Sequence, residues 1–121
     1  ARYEEVIAVA AIDDQGNFAH FSSSGPEVDS VAPGVDIYST FLGNSYAKMS
    51  GTSQACPFVA GLCALILSHN RANPNVPRIN NYVDILKALD LVSDDSKYFN
   101  SGPKRWGFGA PKIANVDWNQ I

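Results

Sequence analysis

One serine in this chain stands where a hydroxyl could act as a nucleophile. Gly51-Thr52-Ser53-Gln54-Ala55-Cys56-Pro57, followed by Phe58-Val59-Ala60-Gly61, joins an expected strand, Tyr46 to Ser50, to a long apolar helix expected from about Thr52 to Ser68. That junction puts Ser53 at a helix N-terminus, where unpaired backbone N–H groups and the positive end of the macrodipole gather. Acyl transfer needs such a setting. Attack on a carbonyl builds negative charge on its oxygen, and donors fixed in advance stabilise that charge.

A serine alcohol also needs a base. The chain has two histidines. His20 falls in an expected strand, Phe18 to Phe21, and His69 follows the expected end of the helix. A helix from Thr52 to Ser68 is roughly 25 Å long, which takes His69 out of reach of Ser53. Both histidines read as surface or capping residues. The strand, Gly-x-Ser-x-Ala and helix order also resembles the nucleophile elbow of the α/β-hydrolases. That fold takes its acid and then its His downstream of the serine. Here His69 is the only downstream His, with no acid between, so the hydrolase reading fails.

The elements that must position Ser53 follow from pattern. Val6 to Ile12 is a continuous apolar, β-branched run, as in a strand buried on both faces of a parallel sheet. Asp13-Asp14-Gln15-Gly16-Asn17 reads as a turn. Short strands are expected near Phe18–Phe21, Val28–Val31 and Ile37–Thr40. No Asp, Glu, Lys or Arg occurs from Thr52 to Ser68, which predicts a central helix buried all round. Pro57 is tolerable near its first turn. Asn70 to Arg78 reads as loop and Asn81 to Leu91 as a second helix. In that helix Tyr82, Ile85, Leu86 and Leu89 share one face, with Lys87 and Asp90 opposite. Lys97 to Arg105 reads as loop, and Pro111 to Val116 as a short closing helix. The alternation implies an α/β layer with helices on a mostly parallel sheet.

Composition bounds the partners. Of 121 residues, 45% are hydrophobic and 17% charged, and the net charge is −3. That is ordinary globular material, and the negative balance without a basic run argues against nucleic acid. The apolar stretch Phe58 to Leu67 is too short to span a bilayer, so no membrane partner is expected. Cys56 and Cys63 lie seven apart on one helix, about 10 Å between Cα atoms, too far for a disulfide. Buried free thiols are the expected state.

The serine run resembles the nucleophile motif of the subtilisin-like serine proteases, G-T-S-x-A-x-P-x-V-A-G. Gly51, Thr52, Ser53, Ala55, Pro57, Val59, Ala60 and Gly61 fall on pattern. Phe58 departs from it, standing where the family often has a non-catalytic His, and Gln54 stands where many relatives carry an oxidisable Met. Val6 to Ile12 resembles the family's V-I-A-V-G-A-V strand, and Phe21-Ser22-Ser23-Ser24-Gly25-Pro26 its F-S-S-x-G-P turn. Ala32-Pro33-Gly34 with Ile37-Tyr38-Ser39-Thr40 resembles its A-P-G-x-x-I-x-S-T segment. Gly107-Phe108-Gly109 with Ile113-Ala114-Asn115-Val116 resembles its closing segment. Only residues of about 70–105 match loosely.

The resemblance implies a subtilisin-like three-layer α/β fold of which residues 1–121 form the C-terminal portion of one catalytic domain. The family's Asp turn (D-S/T-G), His segment (H-G-T-H) and oxyanion Asn (G-N) have no match here. The expected partner is therefore the N-terminal portion of the same domain, as a separate chain, with a protein or peptide as substrate. Ser53 would be nucleophile and backbone oxyanion donor, with Thr52 supporting the oxyanion through its hydroxyl. Phe21, Met49 and Gly51 would contact substrate, the first two on the leaving-group side. The chemistry requires no cofactor. Glu27 and Asp29, with backbone carbonyls of Ala1, Tyr3 and Val6, match a weak structural cation site of the family, suited to Ca²⁺ or a monovalent ion. An extracellular setting is also implied. A different class of reading is a catalytically dead subtilase relic that binds or supports a partner.

Overall fold

The computed structural model describes residues 3–94, 107–115 and 117–119. Strands β1 (Val9–Ile12) and β2 (Ser30–Pro33) pair in parallel, Val9 opposite Ser30 and Ile12 opposite Pro33. Strand β1 is shorter than the apolar run suggests, because its upstream backbone is committed elsewhere. The Val6 N–H closes a turn onto the Tyr3 carbonyl at 3.1 Å, and the Ala8 N–H donates to the Asp29 carboxylate at 2.7 Å. The Val28 N–H likewise turns back to the Gly25 carbonyl at 3.2 Å, so β2 begins at Ser30 rather than Val28. The expected strand at Phe18–Phe21 reduces to a single bridge between Ile12 and Phe18. Beyond it the chain turns, and Ala11 gives its N–H to Ser22 Oγ while its carbonyl accepts from Ala19. The Asp13 turn is present. Its exposed carboxylate accepts from Asn17 and Gln15, which holds the carboxyl below its ordinary pKa.

Helix α1 (Thr52–Ala72) packs on this pair. Alternation along the strands sends Ala11 and Ala32 toward the helix and Ala10, Ile12 and Val31 to the opposite side, as a period of two requires. The small residues let the helix lie close. Ala55, Val59, Leu62, Ile66 and Asn70 form its buried stripe, and each large aliphatic in it contributes roughly 1.5–3 kcal/mol by leaving water. The helix is not buried all round, as its composition predicts. Phe58 and Leu65 are each about half exposed, because the described elements cover one face only. The open side borders an apolar groove of ≈ 650 Å³ between Gly61 and Leu65 on the helix and Ile113 and Ala114.

This helix runs four residues past the expected end, so His69 lies in its last turn. The extra turn is held from the loop beyond. Arg78 donates to the Asn70 and Arg71 carbonyls at 2.7 and 3.3 Å, satisfying groups a helix end leaves orphaned. Buried Asn70 ties the Pro77 carbonyl and the Ile79 N–H. At 21 residues the helix is long and apolar enough to cross a bilayer by length and composition. Its stripe against β1 and β2 makes it the core helix here. Pro57 falls in the second turn, not the first, and cannot donate to the Ser53 carbonyl one turn back.

Strands β3 (Ile37–Phe41) and β4 (Ser45–Met49) form an antiparallel hairpin, turned by Gly43 and Asn44 in left-handed conformations. Helix α2 (Tyr82–Val92) buries Ile85, Ala88, Leu89 and Val92, one residue-step around from the expected face. Tyr82 and Leu86 are half-buried, and Lys87 and Asp90 point out as expected. Asn81 caps α2 by accepting from the Asp84 N–H at 3.1 Å, and Asp84 accepts from the Asn80 N–H. The expected closing helix is replaced. Ala110–Pro111 forms strand β6, paired with β5 (Ser93–Asp94), and only Ile113–Asn115 make a 3₁₀ turn. Its expected last residue, Val116, and the Lys97–Arg105 loop lie outside the described residues. Replacing Asn81 by Ala removes the α2 cap; urea denaturation is expected to show a loss of about 1 kcal/mol, with an unchanged midpoint as the contrary result.

Candidate active site

The turn that carries Ser53 is fixed from three directions. The Ile12 carbonyl, at the end of β1, accepts from the Gly34 N–H at 2.9 Å, and the Gly34 carbonyl accepts from the Gly51 N–H at 2.8 Å. Gly34 is buried, and space there is exhausted. A Cβ would stand 2.6 Å from Ala11 Cβ and 2.7 Å from the Gly51 carbonyl oxygen. On the far side, Asp36 adopts a left-handed φ of 53° and donates its N–H to Ser50 Oγ at 2.8 Å. Strand β4 therefore delivers Ser50 and Gly51 into a seat built by β1 and the end of β2.

From that seat α1 begins with its donors free. Gly51 is the N-cap; it offers no side chain, and no acid occupies the first turn. The Gln54 and Ala55 N–H groups turn back to the Gly51 carbonyl at 3.1 and 3.3 Å. Those of Thr52 and Ser53 have no acceptor among the described residues. Most helices cap such groups with a side-chain oxygen. Here the positive end of the dipole faces outward beside the exposed Ser53 side chain. The arrangement suits an anionic oxygen arriving from solvent, as in an oxyanion hole.

Ser53 sits on the wall of a groove of ≈ 380 Å³ running along the hairpin, with Met49, Gln54, Ile37 and Phe58. Met49 is thus brought beside Ser53, and Gln54 Nε2 donates to its sulfur at 3.9 Å. Phe21 does not line this groove. It is exposed and meets His20 edge-on at a centroid distance of 5.3 Å. Gly51 does not line the groove, and a Cβ there would stand 2.7 Å from Gln54 Oε1. Thr52 faces the other way, into a smaller polar pocket of ≈ 220 Å³ with Ser23, Gly25 and Glu27.

No base reaches the serine within the described residues. Ser53 Oγ has no hydrogen-bond partner there. His69 is sixteen residues along α1, about 24 Å. Its Nε2 lies 2.6 Å from the Trp118 carbonyl oxygen, and its ring packs on that Trp at 4.9 Å. Of the expected cation ligands, Asp29 commits Oδ2 to the Ala8 N–H, and the Tyr3 carbonyl accepts from Val6. Glu27 is exposed beside Gly25, and Ala1 lies outside the described residues. Among the described residues no three His, Cys, Asp or Glu side chains gather as a metal cluster. The cysteines are free, as spacing predicts, but Cys56 is exposed rather than buried, because it falls on the open side of α1. Cys63 is half-buried, and burial pushes its thiol pKa up.

Two positioning features escape sequence reasoning. Gly34 is visible only as a motif letter, although its lack of a Cβ admits the turn at Gly51. The Asp36–Ser50 clasp joins residues 14 apart, and a short polar pair at that separation leaves no periodic signal. Asp29, expected as a cation ligand, is also the strap that starts β1.

Comparison with known proteins agrees with the geometry. The subtilase family model matches residues 1–90. A thermophilic serine proteinase of Bacillus sp. (strain AK1) is 49% identical over 102 residues, covering 84% of this chain and 24% of that protein. Subtilisin DY of Bacillus licheniformis is 54% identical over 68 residues, 56% of this chain and 25% of that protein. The chain thus spans about a quarter of the length of these curated relatives. Among solved structures, the prenylagaramide maturation protease PagA superposes with a TM-score of 0.74 at 29% identity, over 91% of this chain and 40% of that one.

Substituting Gly34 by Ala is expected to push Gly51 from its seat and to cost about 1–3 kcal/mol, as overpacking does. Chemical denaturation reads the loss. An Ala variant as stable as the parent would show that the close approach at Gly34 does not constrain the turn.

Proposed function

The chain belongs to the subtilase family, and on that premise we propose that it carries the nucleophile of a serine endopeptidase. The observation that supports this most is the uncapped N-terminus of α1, which presents the Ser53 hydroxyl and free N–H groups together at the lip of a groove. In this reading Ser53 Oγ attacks a peptide carbonyl. A His supplied by the N-terminal portion of the catalytic domain takes its proton, and an Asp there orients that His. The Ser53 N–H and an Asn side chain of the same portion bind the oxyanion, with Thr52 in support. The acyl-enzyme on Ser53 is then hydrolysed by water.

We further propose that the N-terminal portion of the catalytic domain packs on the open apolar side of α1, where Phe58 and Leu65 stand half exposed. Contiguous apolar surface of that kind marks an interface. Without that portion, Ser53 is an alcohol with no base, and residues 1–121 alone are nearly inert. An extracellular setting and a structural cation held by Glu27 and Asp29 complete the proposal. Two carboxylates with carbonyl oxygens suit a hard cation, and no step of the chemistry runs through it.

A fluorophosphonate probe tests the assignment. Labelling at Ser53 is expected when the N-terminal portion is present, to be lost in Ser53→Ala and nearly absent for the chain alone. A complete assembly that stays unlabelled would favour the non-catalytic relic instead. For the cation, added Ca²⁺ should raise the Tm of the assembly, and Glu27→Gln should weaken that rise. A Tm indifferent to Ca²⁺ contradicts a site there.

A further inference from the structure

We propose that Met49 is an oxidation site, and that its conversion to the sulfoxide resets the selectivity of the groove beside Ser53; this rests on the reading of Ser53 as the acylating residue. Met49 is the single methionine of the chain. It is the last residue of β4, is 47% exposed, and shares the groove wall with Ser53 and Gln54. Within the described residues nothing covers its side chain against a small peroxide. The other oxidisable side chains are placed differently. Cys63 is half-buried with its thiol pKa raised, which leaves little thiolate to react. Cys56 is exposed but does not line this groove.

The reaction consumes one hydroperoxide. A sulfur lone pair attacks the nearer peroxide oxygen, the O–O bond breaks and an S–O bond forms. The departing oxygen takes up the proton and leaves as water. Sulfur is oxidised by two electrons and the peroxide is reduced by two. The product differs from Met49 where it matters for binding. Thioether sulfur is a weak acceptor, and its contact with Gln54 Nε2 is long, at 3.9 Å. A sulfoxide oxygen is a strong acceptor within reach of the same amide, so Gln54 holds the new dipole in place. The wall around it carries the apolar Ile37, Ala47 and Pro57 together with Ser39 and Thr40. An apolar residue on the leaving-group side of a substrate must then desolvate that dipole without pairing it, which is unfavourable. A polar residue there loses little.

Dilute hydrogen peroxide, applied to the assembled protein, tests this. Peptide mapping by mass is expected to find one added oxygen on Met49. Fluorophosphonate labelling of Ser53 should persist. For substrates with an apolar residue after the scissile bond, kcat/KM should fall on the order of tenfold, mainly through KM, while substrates with a polar residue there change little. Methionine sulfoxide reductase should restore the original ratio and a thiol reductant should not, which separates Met49 from the cysteines. Met49→Leu should lose the peroxide response, whatever its own starting activity. An unmodified Met49, an unchanged selectivity ratio after its oxidation, or a peroxide response that survives in Met49→Leu overturns the proposal. Failure of Ser53 to label before any peroxide is added overturns the acylation reading and the selectivity claim with it. Mass mapping still decides whether Met49 is the site oxidised.

Discussion

The contact at Gly34 is the constraint on which the rest of the site depends. Three backbone segments meet there: the end of β1 through the Ile12 carbonyl, the end of β2, and the turn into α1 through the Gly51 N–H. Two consecutive hydrogen bonds pass through a residue with no side chain, in a space where a methyl group would meet both Ala11 and the Gly51 carbonyl. The parallel pair β1–β2 thus fixes the start of α1 directly, without an intervening flexible loop. Helix and sheet are also joined through Ala11, Ala32 and Ala55, whose small size allows the approach that these hydrogen bonds require. Precision at Ser53 is inherited from the core rather than built locally.

That rigidity leaves the helix terminus free for chemistry. A helix start is ordinarily satisfied by its own capping side chain. Here Gly51 occupies the cap and no acid stands in the first turn, so the field of the helix and two N–H groups remain directed outward. A glycine cap forgoes roughly a few tenths of a kcal/mol relative to a Ser, Thr, Asn or Asp cap, and the seat at Gly34 and the Asp36–Ser50 clasp hold the turn in place. In α2 nothing needs an open terminus, and Asn81 caps it in the ordinary way. The two helices therefore differ at their starts: α1 leaves its first N–H groups open beside Ser53, and α2 closes its own with Asn81.

Much of this was legible in the sequence, for identifiable reasons. The strand, serine turn and apolar helix follow from a β-branched run, a Gly-rich junction and a charge-free stretch. The strands at 37–41 and 45–49 and the second helix lie within a residue or so of expectation, whereas the antiparallel pairing of those strands was not read from the sequence. What was not legible depends on tertiary hydrogen bonds. Strand β1 loses its first three expected residues to the Tyr3 turn and the Asp29 strap. Helix α1 gains a turn from Arg78 and Asn70, residues that read as loop formers. Pro111 was expected at a helix start but sits in β6, where its missing N–H costs nothing at the end of a two-residue strand. The apolar side of α1 shows the reverse case, since composition called for burial that the described residues do not supply.

The most direct measurement is a crystal structure of the assembled catalytic domain with a peptidyl boronate, a mimic of the tetrahedral adduct. The account predicts a covalent bond from Ser53 Oγ to boron, with one boronate oxygen about 3 Å from the Ser53 N–H, on the axis of α1. Boron attached to another residue, or held by Ser53 with its oxygens turned away from the helix terminus, would contradict it.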